Sequence, residues 1–482
     1  MRRVGEHAVV IGASVAGLLA AAAAADAYER VTIVDRDALP AGGEGRRAVP
    51  QGRHAHSLHP RGLEHIEALL PGLSGELEAA GAPVYRAMEE LRLVMDGGEL
   101  ARASTGLRAV VASRAFVEGH VRRRVRALPN VRIVERCDAA GLTAAERGAR
   151  VTGVRLLHRA GSSAEETLPA DLVVAATGRG ARVPSWLEQI GCDAPAEERL
   201  AIDVRYASRF LRLPDGAAGG DKLVLVTARP DRPRALALFA QEGGRWLLTA
   251  GGYGPDHRPP SDPRDFAAFA AALAPPDVAA ALREAEPPGD IATHGFPAAL
   301  RRRYDKLRRF PRGLLVAGDA ICSFNPLYGQ GMTVAAAEAA ALRACLASDG
   351  DRDLARRYFA RARPPVEDAW RLSTGADLAL PVVAARAPLP VRAVNAYMRR
   401  LRAVATHDPQ VAEAFVQVIG MRARPPRVLR PATMRRVLRG SASQDPQRQM
   451  AGVLGVVQAD AGHRDARRHL QNAEDRVEAT HR

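Results

Sequence analysis

Between residues 318 and 332 the chain reads Gly-Asp-Ala-Ile-Cys-Ser-Phe-Asn-Pro-Leu-Tyr-Gly-Gln-Gly-Met. An apolar run (Leu314 to Ala317) precedes it, and an alanine-rich stretch begins near Met332. That order predicts a strand, a loop and a helix. The carboxylate of Asp319 can accept hydrogen bonds from the hydroxyls of a sugar-alcohol chain. The free N–H groups and positive dipole end of the following helix can face an oxygen that carries negative charge. The segment suits a polar, partly anionic ligand.

Matching chemistry lies at the other end of the sequence. His7 to Ile11 is a short apolar run, followed by Gly12-Ala13-Ser14-Val15-Ala16-Gly17, a predicted helix from about Leu18 to Ala27, and a strand from Val31 to Val34 that ends in Asp35. Strand, glycine turn, helix and acid-terminated strand form the first unit of a dinucleotide fold. Gly12 makes the tight turn, Gly17 lets the helix pack close to the strand, and Asp35, about 20 residues on, can bind the adenosine ribose. Ser14 replaces the middle glycine of that pattern, where backbone approaches a pyrophosphate. A flavin dinucleotide has the features that both segments require.

Two more fragments of this domain lie between them. Ser113 can cap a helix carrying Arg114, whose guanidinium could reach a pyrophosphate or serve as an ordinary surface charge. Asp171 to Ala176 reads as a buried strand broken at Thr177-Gly178, at the carboxyl edge where open parallel sheets place ligands. The stretches Val84 to Arg102 and Ala201 to Thr293 instead alternate like strands, as in Lys222 to Ala228, Arg234 to Ala240 and Trp246 to Ala250, with one helical pattern at Phe266 to Leu273. They read as an antiparallel sheet inserted into the nucleotide domain. Gly251-Gly252-Tyr253-Gly254 leads into prolines and reads as a loop, so nicotinamide has no second glycine-rich unit of its own.

The expected architecture is therefore α/β, a Rossmann-like FAD-binding domain with an inserted antiparallel β-sheet substrate domain and a C-terminal helical region. The nucleotide domain is expected over 1–82, 103–200 and 304–375, the sheet domain over 83–102 and 201–303, and the helical region over 376–440. Residues 441–482 read as a tail, mobile or loosely docked.

Composition fits a sizeable soluble enzyme of 482 residues with 47% apolar content. Cys137, Cys192, Cys322 and Cys345 are widely separated, which favours a reducing compartment over a disulfide scaffold or thiolate metal site. The net charge of +15 comes almost wholly from arginine spread along the chain, with Lys222 and Lys306 the only lysines, and aromatic residues are only 4%. That argues against a nucleic-acid face. Met1-Arg2-Arg3 followed by the uncharged stretch Ala8 to Ala25 has the outline of a secretory signal or short membrane span. Glu6 and His7 interrupt it, and the glycines fall where the nucleotide fold needs them, so a cytoplasmic chain without a membrane span is expected. His54, His56, His59 and His65 invite a metal reading, yet they sit in a loop leading into a helix at Leu63 to Leu70 without a carboxylate that closes a ligand set. A hydrogen-bonding loop beside the flavin, and no metal, is the expectation.

The chain resembles the FAD-dependent monooxygenases of the aromatic-hydroxylase fold, most closely the bacterial branch that includes the polyene epoxidases of polyether biosynthesis and more distantly the squalene epoxidases. The resemblance rests on Gly12 to Gly17 with Asp35 and Arg36, on Val49-Pro50-Gln51-Gly52-Arg53-His54-Ala55-His56, on Arg114, on Ala176-Thr177-Gly178 and on Gly318 to Met332. It implies that Gly12, Ala13, Ser14, Ala16, Gly17, Asp35 and Arg36 hold the ADP half. It further implies that Arg46, Gln51, His54 and Arg114 contact phosphate, ribityl or the flavin side. Gly318, Asp319, Pro326, Gly329, Gln330, Gly331 and Met332 would then surround the ribityl chain and ring. The implied reaction places one oxygen atom from O2 into an apolar small-molecule substrate, with epoxidation of an alkene favoured over aromatic hydroxylation or a geranylgeranyl-reductase-like reduction. Electrons would come from NAD(P)H, directly or through a separate flavin reductase. Ala176 stands where related sequences often carry an acid, which leaves direct nicotinamide docking open. A halogenase is disfavoured, since the chain has neither a Trp-x-Trp-x-x-Pro signature nor a lysine before Lys222.

Overall fold

A computed structural model of the chain describes residues 3–46, 50–56, 58–159, 165–180, 182–287, 289–383 and 387–442. The predicted tail lies outside the described residues from 443 onward, as does Val49 of the histidine-rich signature.

Five parallel strands form the nucleotide sheet, in the order Leu314–Val316, Leu172–Ala175, Gly5–Ile11, Tyr28–Val34, Val131–Val134. Gly5–Ile11 is buried from His7 onward, as a strand covered on both faces must be. The helix Val15–Ala25 is apolar all round because it is wedged between this sheet and the helix Gly331–Asp349. The stretch that outlines a signal peptide is thus the centre of the main core.

The second sheet, called the substrate sheet after its expected role, has eight strands, in the order Cys322–Ser323, Ala292–Arg302, Glu197–Leu211, Arg245–Tyr253, Arg234–Gln241, Leu223–Val226, Leu91–Met95, Gly98–Glu99. It is antiparallel except where Leu223–Val226 runs parallel to Leu91–Met95. Within Glu197–Leu211, Ile202, Val204 and Tyr206 are buried while Ala201, Asp203 and Arg205 are exposed, the period of two expected of a sheet with one covered face, and from Tyr206 to Ser208 every residue is buried. The predicted single helix is a pair, Pro263–Ala271 and Pro276–Arg283, because Pro275 and Pro276 stop one helix and start the next.

Several details depart from expectation. Gly251 and Gly252 do not form a loop but lie inside the strand Arg245–Tyr253. The His257 carbonyl crosses Gly252 so closely that a Cβ would come within 1.6 Å of it, so packing rather than turning requires glycine there. Val84–Arg86 leaves the substrate sheet to pair with Arg108–Val110. A three-stranded meander, Cys137–Ala145, Arg150–His158 and Glu165–Pro169, was not anticipated. The alanine and glycine of Cys137–Ala145 carry little intrinsic strand preference, and its long pairing with Arg150–His158 decides the outcome.

Four helices, Leu354–Asp377, Leu389–Ala405, Pro409–Ile419 and Pro431–Ala442, complete the described chain. Leu401, Val404, Val411 and Phe415 bury against Met88, Leu93 and Leu100 at the edge of the substrate sheet. Among the described residues no helix is long and apolar enough to cross a membrane.

Candidate functional site

The glycine turn, the end of the strand Leu172–Ala175 and the Gly318 segment meet at one edge of the nucleotide sheet. Gly12 has φ +107°, and a Cβ there would sit 2.4 Å from the Ala176 carbonyl oxygen. A Cβ on Gly17 would fall 1.8 Å from the Gly12 carbonyl oxygen, and one on Gly318 (φ +67°) would fall 2.7 Å from the Ala16 Cβ. Backbone therefore touches backbone at Gly12 and Gly17, and the Ala16 methyl closes on Gly318. Ser14 caps the helix Val15–Ala25 by conformation alone, with no side-chain hydrogen bond to its first turn, which leaves those N–H groups open to an outside acceptor.

Asp35 ends its strand beside this turn, where it accepts hydrogen bonds from the N–H of Ala13 (2.7 Å) and of Asp37 (2.9 Å). Arg46 fills the space next to it. Its guanidinium, 4% exposed, donates to Asp35 (2.8 Å), Glu118 (3.0 Å) and the Ala13 carbonyl (2.9 Å). Burial works against that charge, but the two carboxylates outweigh it and raise the guanidinium pKa. The structure thus shows Asp35 and Arg46 bound to each other. Arg36 is exposed, and the side chain of Gln51 lies outside the described residues.

Arg114 opens the helix Arg114–Arg126, which Ser113 caps by accepting from the Phe116 N–H, as expected. Its Nη1 lies 3.4 Å from His56 Nε2 and its Nε lies 3.7 Å from Glu118, with no hydrogen-bond partner for that Nε. A half-buried guanidinium held this loosely is suited to an incoming anion. Burial raises the Asp319 pKa, and the positive charges of Arg114 and Arg179 partly oppose the rise. Arg179 follows Thr177-Gly178 and donates to Ser323 (3.2 Å), while Arg302 binds the carbonyls of both Arg179 and Ala320. Behind the loop Glu338 accepts from the Gly318 N–H (2.6 Å), and burial pushes its carboxyl up to about 8.

The substrate sheet faces these charges with rings. Tyr206 and His294 pair across neighbouring strands, and His54 stands edge-on to Tyr206 at 4.6 Å between centroids. His54 was expected among the cofactor contacts, but its Nδ1 binds Ser208 Oγ (2.8 Å) and its ring packs on the sheet. Ser208 pairs with Thr249, which also accepts from the Ala55 N–H, so the histidine loop is stitched to the substrate domain. The Tyr206 hydroxyl is buried without a partner. Arg209 and Tyr253, on the strands of Ser208 and Thr249, face elsewhere. Arg209 binds a surface carbonyl and Tyr253 is buried against Asp377. Arg179, His294 and Glu338 escaped the sequence reading; a cation directly after Thr177-Gly178 was the one signal available.

Burial, followed by the charges of His294 and Arg53, holds His54 at about 3. The unfolded histidine protonates below about 6.5 whereas the folded one stays neutral, so folding stability is lost as pH falls from 6.5 toward 3, at about 1.4 kcal/mol per pH unit. Between pH 7 and pH 5 this removes ~2 kcal/mol. His54→Gln should therefore lose less stability than the wild type over that interval in urea unfolding; parallel losses would contradict the assignment.

These residues fit a flavin dinucleotide. The cradle admits no Cβ at Gly12 or Gly17, and the side-chain oxygens of Thr177 and Gln330 are buried without partners at the same edge. No group of three or more metal-binding side chains gathers among the described residues.

Residues 6–373 match the family model described as FAD binding domain. The chain belongs to that family of flavoproteins, and its fold is the one shared by the flavin-dependent monooxygenases. Protein Rv3254 of Mycobacterium tuberculosis is 39% identical over 425 residues, covering 86% of this chain and 89% of that one. Among solved structures, the flavin-dependent brominase Bmp2 superposes with a TM-score of 0.64 at 13% identity, covering 92% of this chain and 100% of that one. The p-nitrophenol 4-monooxygenase PnpA of Pseudomonas putida superposes with a TM-score of 0.62 at 16% identity, covering 87% and 99%. At such identities the two structures speak for the fold alone.

Proposed function

We propose that the protein is an FAD-dependent monooxygenase that converts an alkene of an apolar polyketide or terpenoid intermediate into an epoxide with one oxygen atom of O2. The observation that carries this reading is the uncharged character of the wall opposite Asp319, Arg114 and Arg179. Burial holds His54 at about 3, lowers His294 and raises the Tyr206 phenol above its usual range. Hydroxylation of a phenol gains from a base poised near the working pH, and burial holds His54 and Tyr206 away from it. Epoxidation asks the protein to orient an apolar chain and exclude water, which aromatic rings on a buried sheet face do.

When bound, the reduced flavin supplies the electrophilic oxygen. In this reading the turn Gly12 to Gly17, with Asp35 and Arg36, holds the ADP half, and Arg46 and Arg114 contact phosphate or ribityl. Asp319 binds the ribityl hydroxyls, and the loop from Pro326 to Met332 borders the ring. Electrons arrive from NAD(P)H, by direct docking or through a separate flavin reductase. Four free thiols accord with work in a reducing cytoplasm. The test is oxygen uptake by the FAD-loaded protein with a supplied reductant and a panel of polyenes and phenols. Stimulation by polyenes is expected. Stimulation by phenols alone would favour a hydroxylase, and substrate reduction without oxygen uptake would favour a reductase.

A further inference from the structure

The helix Leu354–Asp377 ends on a carboxylate that none of the site described above uses. Asp377 is fully buried. Its Oδ1 accepts three hydrogen bonds, from the hydroxyl of Tyr253 (3.0 Å), the hydroxyl of Tyr328 (2.9 Å) and Nδ2 of Asn325 (2.8 Å). Asn325 Nδ2 also donates to the Tyr253 hydroxyl at 3.0 Å. The second oxygen, Oδ2, is buried and accepts none.

The donors come from two parts of the molecule. Tyr253 closes the substrate strand Arg245–Tyr253, while Asn325 and Tyr328 flank the turn that opens the glycine-rich half of the 318–332 loop. Asn325 fixes the inside of that turn by accepting from the Leu327 N–H (3.1 Å), and His59 holds the Tyr328 carbonyl at 3.2 Å. A buried carboxylate with one unsatisfied oxygen is a poor way to gain stability, and apolar replacements of such groups are often neutral or better. Its placement points to a conformation that must be held.

We propose that Asp377 is a positioning residue for the cofactor: by gathering Asn325, Tyr328 and Tyr253 onto one oxygen, it sets the shape of the loop that receives the flavin and ties that loop to the substrate sheet. This rests on the flavin reading of the 318–332 loop. Hydrogen bonds to an ionised acceptor are roughly twice as strong as neutral ones, so protonation of Asp377 loosens the loop. Burial raises its carboxyl to about 6, against the opposing hydrogen bonds of Tyr328, Asn325 and Tyr253. The titratable groups facing it are those two tyrosines, with His59, held neutral at about 4 by burial, behind Tyr328.

The experiment is fluorescence titration of FAD into apoprotein from pH 5 to pH 8. The wild-type Kd should rise about fivefold or more as pH falls through the Asp377 pKa. Asp377→Asn should weaken FAD binding about tenfold at neutral pH and remove the acid break. Tyr253→Phe deletes a donor that favours the ionised carboxylate, so its break should move to higher pH. A merely structural role would weaken binding without moving the break. Folded Asp377→Asn binding FAD within about twofold of wild type, or keeping the break, overturns the proposal, as does an unmoved break in Tyr253→Phe. Should Asp377→Asn fail to fold, Tyr253→Phe decides alone. A wild type that binds no FAD at any pH would instead overturn the flavin reading itself.

Discussion

Gly17→Val is expected to yield protein that folds poorly and binds FAD at least about a hundredfold more weakly than wild type, equivalent to ~2.7 kcal/mol. The cause is backbone contact. The first added carbon would lie 1.8 Å from the Gly12 carbonyl oxygen, and neither that strand nor the helix Val15–Ala25 can retreat, since both are buried within the main core. Overpacking a core position costs about 1–3 kcal/mol, and here the displaced atoms belong to the turn that would cradle the pyrophosphate. Isothermal titration of FAD, with circular dichroism as the folding control, checks this. A folded variant with wild-type affinity would show that the helix N-terminus does not approach the cofactor.

Arg46→Ala should be more damaging to the apoprotein than any surface arginine substitution. Arg46 lies between two carboxylates that are themselves 8% and 5% exposed in their side chains. Its loss would leave Asp35 buried without its cation and Glu118 with only the longer contacts to Arg122 (3.5 Å) and Arg114 (3.7 Å), and breaking a buried pair typically costs about 3–5 kcal/mol. The effect should reach the glycine turn, because Asp35 also accepts from the Ala13 N–H. Arg46→Lys keeps the charge but cannot bridge both acids, so partial rescue is expected. Thermal unfolding of the three proteins should rank wild type, lysine, alanine. Equal midpoints would mean that this cluster contributes nothing to the fold.

The parts of the site legible in the sequence are those in which local backbone constraint and chemistry coincide. Gly12, Gly17 and Gly318 are demanded by close approach or positive φ, and Asp35 and Asp319 follow short, mostly apolar strands, so residue type at each position reports its structural use. The substrate sheet was visible for a related reason, since the runs Lys222 to Ala228, Arg234 to Ala240 and Trp246 to Ala250 alternate like strands between turn residues. What stayed hidden depends on pairing across long separations. His294 meets Tyr206 only through strand register, and Asp377 meets Tyr253 across 124 residues. His54 belongs to a signature that pointed to the flavin, and its bond to Ser208 spans 154 residues. The meander over 137–169 was missed because its first strand is built from small residues whose preference is set by the partner.

The most direct test of the oxygen-transfer account is turnover of a polyene by the FAD-loaded protein under isotopically labelled O2 with a reductant supplied. The account predicts an epoxide carrying one labelled atom per reacted double bond and none from water. Label appearing only in peroxide or water, with every alkene and phenol returned unchanged or reduced, would contradict it.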